Sequence, residues 1–388
     1  MKINKTILAT VLGLSIASVS NAGVVYLTGS TAARSTVFAT LSASGIVFQS
    51  APTITTYTGS SESGSTYMAF VGTLVGGSGT TTIDCDWSGS EAGINDVATG
   101  ASETFLDPTQ LNGQNNGAAS PTATVTHTVD LAMADNAQSY SRTATPAVGA
   151  QTEVGVITFK WVRDQGDWNG TNVTDSMIQQ ALNAYAPRAV FTGNAGDTND
   201  FVYVSGRNNQ SGTRVNAFGD SGFGILSSPS QVEINSSGVM QELDAFGDYD
   251  GDFGFSSGGS LAATMGANTS SNNVSAIDQV NTGNAGFSVI AYLGTSDAAT
   301  AITDGATVLT YDGVTFSPAA IIEGQYTFWG NEYIDHSTTA DSEALQAYSN
   351  LSAGTGISAH ADGTIVIPLS SMHCSRPGPN SPPGHFAY

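Results

Sequence analysis

Short apolar runs, each closed by a small polar turn, set the pattern of this chain. Residues 7–19 form an almost unbroken apolar stretch behind Lys2 and Lys5. Ser20, Asn21 and Ala22 then place small residues at the −3 and −1 positions of a cleavage site. That order of charge, apolar core and small residues predicts a secretory signal peptide over 1–22, too short to span a bilayer. No later stretch reaches the roughly 20 apolar residues of a spanning helix, so no membrane insertion is expected.

Beyond the leader, residues 24–28 read as a strand ending in Gly29-Ser30-Thr31. Residues 32–41 read as a helix with Ala33, Val37 and Leu41 on one face. A second strand is expected over 53–58, ending in the Ser-rich turn 59–65, and a helical continuation over 68–74. Residues 83–87 lead as a third strand into Ser88–Glu91. Three strands therefore end in small polar turns within the first part of the chain, the opening of an α/β unit. Residues 100–151 are rich in Thr, Ala and Asn and predict an insertion or an irregular β-excursion. Further strands are expected over 155–162, 200–205, 285–293 and 324–333, and helices over 175–186, from 215 onward and over 341–351. The tail from residue 374 is rich in Pro and Gly and is expected to be poorly ordered.

Charge narrows the choice of partners. Removing Lys2 and Lys5 from the ten cations leaves eight against 32 carboxylates, a net charge of −24 over residues 23–388. A surface of that sign repels nucleic acid and anionic membrane, and its plain purpose is solubility. At 40% apolar residues the chain can still build cores, enough for two domains. Cys85 and Cys374 could form one disulfide in an oxidising compartment, or be two unrelated thiols. Two cysteines without a histidine cluster make no metal site, and no cofactor is expected. The five histidines are scattered, without HExxH spacing, and there is no P-loop. No nucleophile–base pair can be named, so the chain does not read as an enzyme. Asp248, Asp250 and Asp252 alternate as in calcium loops, but the terminal Glu is missing and they read as a solvated acidic turn.

The polar turns suggest anion chemistry. Helix starts offer free N–H groups and partial positive charge, hydroxyls add donors, and Gly lets the backbone approach closely. The turn GRNNQSGTR at 206–214 stands apart, because two of only eight cations, Arg207 and Arg214, fall within it. A guanidinium matches two oxygens of a tetrahedral anion. The competing reading is that both arginines pair with structural carboxylates.

These segments resemble the phosphate-binding proteins of phosphate-specific ABC transporters. LTGSTAARSTVF at 27–38 is similar to the family's opening strand and turn, YTGSSESG at 57–64 to its Ser-rich turn, and SGSEAG at 88–93 to its Gly-x-Ser-Asp turn. RNNQSGT at 207–213 fits Arg-x-Asp-x-Ser-Gly-Thr at every place but one, and NAGFSVIAYLG at 284–294 and the stretch 315–334 follow in order. The resemblance implies a type II periplasmic-binding-protein-like α/β fold of two lobes, with crossings near 154–159 and 326–333. Lobe I would hold 23–156 and 326–372, lobe II 157–325, and 373–388 would be the tail.

It also implies an anion held between the lobes by Ser30, Thr31, Ala32, Ser61 or Ser63, Glu91, Arg207, Ser211, Gly212 and Thr213. Asn209 replaces the family's second Asp, and Glu91 lengthens the first. The amide at Asn209 implies weaker discrimination against other oxyanions, since a carboxylate there repels a fully ionised anion. The expected ligand is inorganic phosphate or a related oxyanion. The expected partner is an ABC permease, and the expected state is an exported monomer in the periplasm or beyond. The alternative is a secreted structural or adhesive protein that reuses this fold without transport, since fold does not fix function.

Overall fold

The computed structural model describes residues 23–166, 168–234, 240–242, 254–267 and 287–376. The expected leader, the Asp248–Asp252 run and the end of the tail lie outside the described residues. The architecture is a mixed α/β fold. Its strands are β1 (Gly23–Gly29), β2 (Thr53–Tyr57), β3 (Tyr67–Thr73), β4 (Thr80–Asp86), β5 (Ser102–Leu106), β6 (Thr124–Thr128), β7 (Leu131–Ala134) and β8 (Ala150–Arg163). They continue with β9 (Ala186–Pro187), β10 (Phe201–Ser205), β11 (Phe287–Gly294) and β12 (Trp329–His336). The large sheet runs β9-β10-β11-β8-β12-β7-β1-β4-β3-β2, while β5 and β6 form a separate hairpin.

The 14-residue β8 joins two halves of this sheet. Up to Thr158 it pairs antiparallel with β12, and from Phe159 it pairs with β11. The partner change falls between Thr158 and Phe159, opposite the start of β12 at Trp329. Each half has its own core. Val25, Leu27, Val37, Phe70 and Ile334 are fully buried together in one, and Val289, Leu261 and Ala298 in the other. A third cluster, with Trp161, Tyr292, Phe328 and Trp329, packs along the shared strands.

The helices that position the site start where the strands stop. They are α1 (Arg34–Ser42), α2 (Ser90–Thr99), α3 (Asp175–Asn183), α4 (Arg188–Thr192), α5 (Gly212–Asp220), α6 (Gly258–Ala267) and α7 (Thr295–Thr303). Later come α8 (Pro318–Ile322) and α9 (Ser342–Ser352). The expected strands at 24–28, 53–58, 83–87, 155–162 and 200–205 form, the one expected over 285–293 forms from Phe287, and the helices expected at 32–41, 175–186 and 341–351 form as well.

Four expectations need correction. Residues 68–74 are a strand, because β2 and β4 flank them with unbroken antiparallel pairing and bury Met68, Ala69 and Phe70. The stretch 100–151 is only in part an excursion. Its β5–β6 pair forms a separate two-stranded sheet, with Phe105 and Leu106 buried, but β7 lies inside the main sheet between β1 and β12 with all four residues buried. Cys85 and Cys374 are free thiols: they are buried in different clusters, and Cys374 Sγ donates to Ile321 O at 3.4 Å. The first residues of the tail are anchored. Arg376 makes a two-pronged ion pair with buried Asp220 at 2.7 and 2.9 Å and lies over the Trp329 ring.

Candidate functional site

The turn after β1 can be made only by glycine. Gly29 has φ +110°, and a Cβ there would stand 2.1 Å from Met133 O. This turn delivers Ser30, whose N–H donates to Met133 O at 2.8 Å and whose Oγ donates to Asp135 Oδ1. Ala33 N–H in turn donates to Ser30 Oγ at 3.1 Å.

Two helix starts converge on Asp135. Ser90, first in α2, accepts the Asp135 N–H at 3.1 Å. Gly212, first in α5, packs so tightly that a Cβ would meet Ser90 Oγ at 2.4 Å and Asp135 Cβ at 2.8 Å. Thr213 Oγ1 reaches Asp135 Oδ2 at a long 3.4 Å, and Asn216 Nδ2 donates to Asp135 O at 3.0 Å. Burial raises the Asp135 carboxyl above its ordinary range, while Ser30 and the Arg207 charge pull it back. Beside it, Glu332 is fully buried against Asp135; burial first, and then the neighbouring Asp135 carboxyl, raise its own carboxyl well above the usual range. Asp135 escaped the sequence reading because it follows β7, inside the stretch expected to be irregular.

Arg207 is 3% exposed and already engaged. Its Nε donates to Phe255 O at 3.0 Å and its Nη2 to Ser256 O at 2.9 Å, while its backbone N–H donates to Tyr292 Oη at 3.0 Å. Asp297, in the first turn of α7, is the leading charge acting on this guanidinium, and Arg34 feels Asp297 as well. Burial raises the Asp297 carboxyl; Arg207 and then Arg34 draw it down. Arg34, the first residue of α1, is half-buried, and its guanidinium makes a long 3.5 Å contact to Ser65 O. It was overlooked in sequence, although it is one of the eight cations and lies three residues beyond Thr31.

Arg34 and Asp297 stand on the wall of an open cleft of roughly 550 Å³. The cleft gathers Thr31, Ala32, Ser61 and Ser63 from one part of the chain with Ser257 and Ser260 from another. Ser61 also caps the turn Glu62–Gly64, accepting the Gly64 N–H at 3.1 Å. The residues expected to share one site are thus divided. Ser30, Gly212 and Thr213 surround Asp135, and Ser211 caps α5 by accepting the Arg214 N–H at 3.3 Å. Glu91 and Asn209 line a separate hollow of roughly 250 Å³ beside Arg142. There Glu91 accepts the Asn136 Nδ2 at 2.8 Å and the Arg142 N–H at 2.6 Å, and burial lifts its carboxyl to about 7.

Among the described residues no group of three His, Cys, Asp or Glu could hold a metal ion. The run GFSSG at 254–258 has Gly-x-Ser-x-Gly spacing, which the reading for enzyme motifs passed over. The Ser256 carbonyl is bound to Arg207, and no histidine is hydrogen-bonded to Ser256 among the described residues. No helix among them is long and apolar enough to cross a membrane.

No family model matches the chain, and no curated protein matches it. Solved structures do resemble it. An ABC-type phosphate transport receptor from Vibrio cholerae is 11% identical, with a TM-score of 0.45 over 88% of this chain and 99% of that one. PstS from Borrelia burgdorferi is 13% identical, with a TM-score of 0.39 over 89% of this chain and 98% of that one. The chain is similar in structure to phosphate ABC transporter substrate-binding proteins.

Proposed function

We propose that this chain is an exported solute-binding protein that captures a small oxyanion, phosphate first among them, for ABC-type uptake. The observation that carries the reading is the cleft at Arg34. Its guanidinium is half-buried, holds one long hydrogen bond, and faces hydroxyls from two separate parts of the sequence. A guanidinium with spare donors and a ring of hydroxyls suits a tetrahedral anion, and the start of α7 beside it adds partial positive charge. Thr31, Ser61 and Ser63 then act as ligand donors, while Asp297 sets the cleft's charge against a fully ionised guest. Glu91 and Asn209 take no direct part in this scheme, because they line a different hollow.

The test is calorimetric titration of the anion-free mature protein with phosphate and then sulfate, alongside Arg34→Ala. The expected result is phosphate binding in the wild type that weakens at least about tenfold in Arg34→Ala, the loss of roughly one charge-assisted hydrogen bond. Absence of binding to either anion by folded protein would overturn the reading.

A second reading, a secreted structural or adhesive protein, is favoured by one specific observation. The hydroxyls of Ser30 and Thr213, expected to face a ligand, are directed at Asp135 instead. A null titration would make it the better account.

A further inference from the structure

The best-built polar centre in the molecule lies outside the cleft, around Asp135. This residue is 2% exposed and sits where the β1 turn meets the first residues of α2 and α5. Those helices span ten and nine residues, long enough for their starts to carry free N–H groups and partial positive charge. Ser30 donates to one carboxylate oxygen, Thr213 reaches the other, and Ser90 receives the Asp135 N–H. The Arg207 charge acts on the same group. Hydroxyls, helix starts and a buried guanidinium are the means by which proteins hold a free anion. Here the anion is part of the chain.

We propose that Asp135 is a built-in ligand: its carboxylate fills an oxyanion site formed by Ser30, Thr213 and the starts of α2 and α5. Removing that carboxylate opens the site to a small external anion. The space released is that of one carboxylate, so formate fits Asp135→Ala and acetate fits Asp135→Gly. Glu332 lies against the site, fully buried and hydrogen-bonded to Asp135 itself, so it is a polar neighbour for the guest that enters. In the native chain the internal carboxylate outcompetes a free anion because the backbone holds it in place, an intramolecular advantage of effective concentration. The same carboxylate ties the β1 turn to α5, a bridge that a bound solute would otherwise make. The inference does not depend on what the cleft at Arg34 binds.

Thermal unfolding of the mature protein in formate, acetate or chloride at matched ionic strength tests it. In Asp135→Ala, 100 mM formate is expected to raise Tm by about 2 °C beyond chloride, the effect of a site with Kd near 10 mM. The wild type is expected to show no such difference, and adding Thr213→Val to Asp135→Ala is expected to abolish it. Equal behaviour in formate and chloride by folded Asp135→Ala would overturn the proposal. If that variant folds only when formate is present, the recovery itself supports it. Asp135→Asn gives an independent check, since it keeps the volume and removes the charge. It is expected to lose stability, and a Tm equal to wild type would also overturn the proposal.

Discussion

Arg34 and Arg207 carry the same charge and act on the same carboxylate, Asp297, yet burial gives them different work. Arg207 is enclosed, and its fork is spent on the Phe255 and Ser256 carbonyls. Arg207→Ala would leave two carbonyls unpaired and deprive Asp297 of its leading counter-charge, so it is expected to cost about 3 kcal/mol. Urea denaturation checks this, and a loss below about 1 kcal/mol would contradict it. Arg34→Ala is expected to leave the midpoint near wild type while it weakens binding, since its contact to Ser65 O is too long to contribute much to stability. Composition made Arg207 conspicuous in the sequence. It could not say that backbone from a distant segment would claim the guanidinium first, because Phe255 lies 48 residues away.

At the level of elements, the repeated event is a strand ending in a small polar turn that starts a helix. Ser211 illustrates the local part of this. It is extended (φ −92°, ψ 123°), and its Oγ accepts the Arg214 N–H, the standard role of a residue capping a helix start. Ser211→Ala is expected to cost about 1 kcal/mol through loss of the cap. Measuring the unfolding midpoint tests this, and no change would mean that α5 is held by packing alone. Such turns were legible because Gly, Ser and Thr mark them residue by residue. β3 was not, because a short apolar run suits helix and strand alike until its neighbours are known. β7 was hidden for a similar reason: four residues, Leu131 to Ala134, have no period to read. Their strand identity comes from β1 and β12 on either side.

The whole molecule carries its acidity inward as well as outward. Burial lifts the carboxyls of Asp84 to about 8 and of Asp86, Glu91 and Asp335 to about 7. In the unfolded chain these groups titrate near 4. Between about pH 4 and pH 8 the folded state therefore holds more protons, and stability falls as pH rises across that window. Tm is expected to be highest near pH 5 and several degrees lower at pH 8. A Tm that is flat or rises from pH 5 to pH 8 would contradict this. The sequence reading assigned most carboxylates to solubility, which counts charges without knowing which ones the fold encloses.

The sequence by itself determined what depends on neighbours along the chain. That covers the alternation of apolar runs and Gly/Ser turns, the helix start that follows the turn at 206–214, the α/β class and the excess of negative charge. The tertiary structure alone decided what depends on residues far apart. It separated the expected anion donors into a cleft, a hollow and a filled centre, and it kept Cys85 and Cys374 in different cores. It also brought Asp135 to Ser30 across 105 positions. A hydroxyl's donor direction is set by its backbone, which local sequence encodes. The acceptor it meets is set by the packing of the sheet, which no local pattern records.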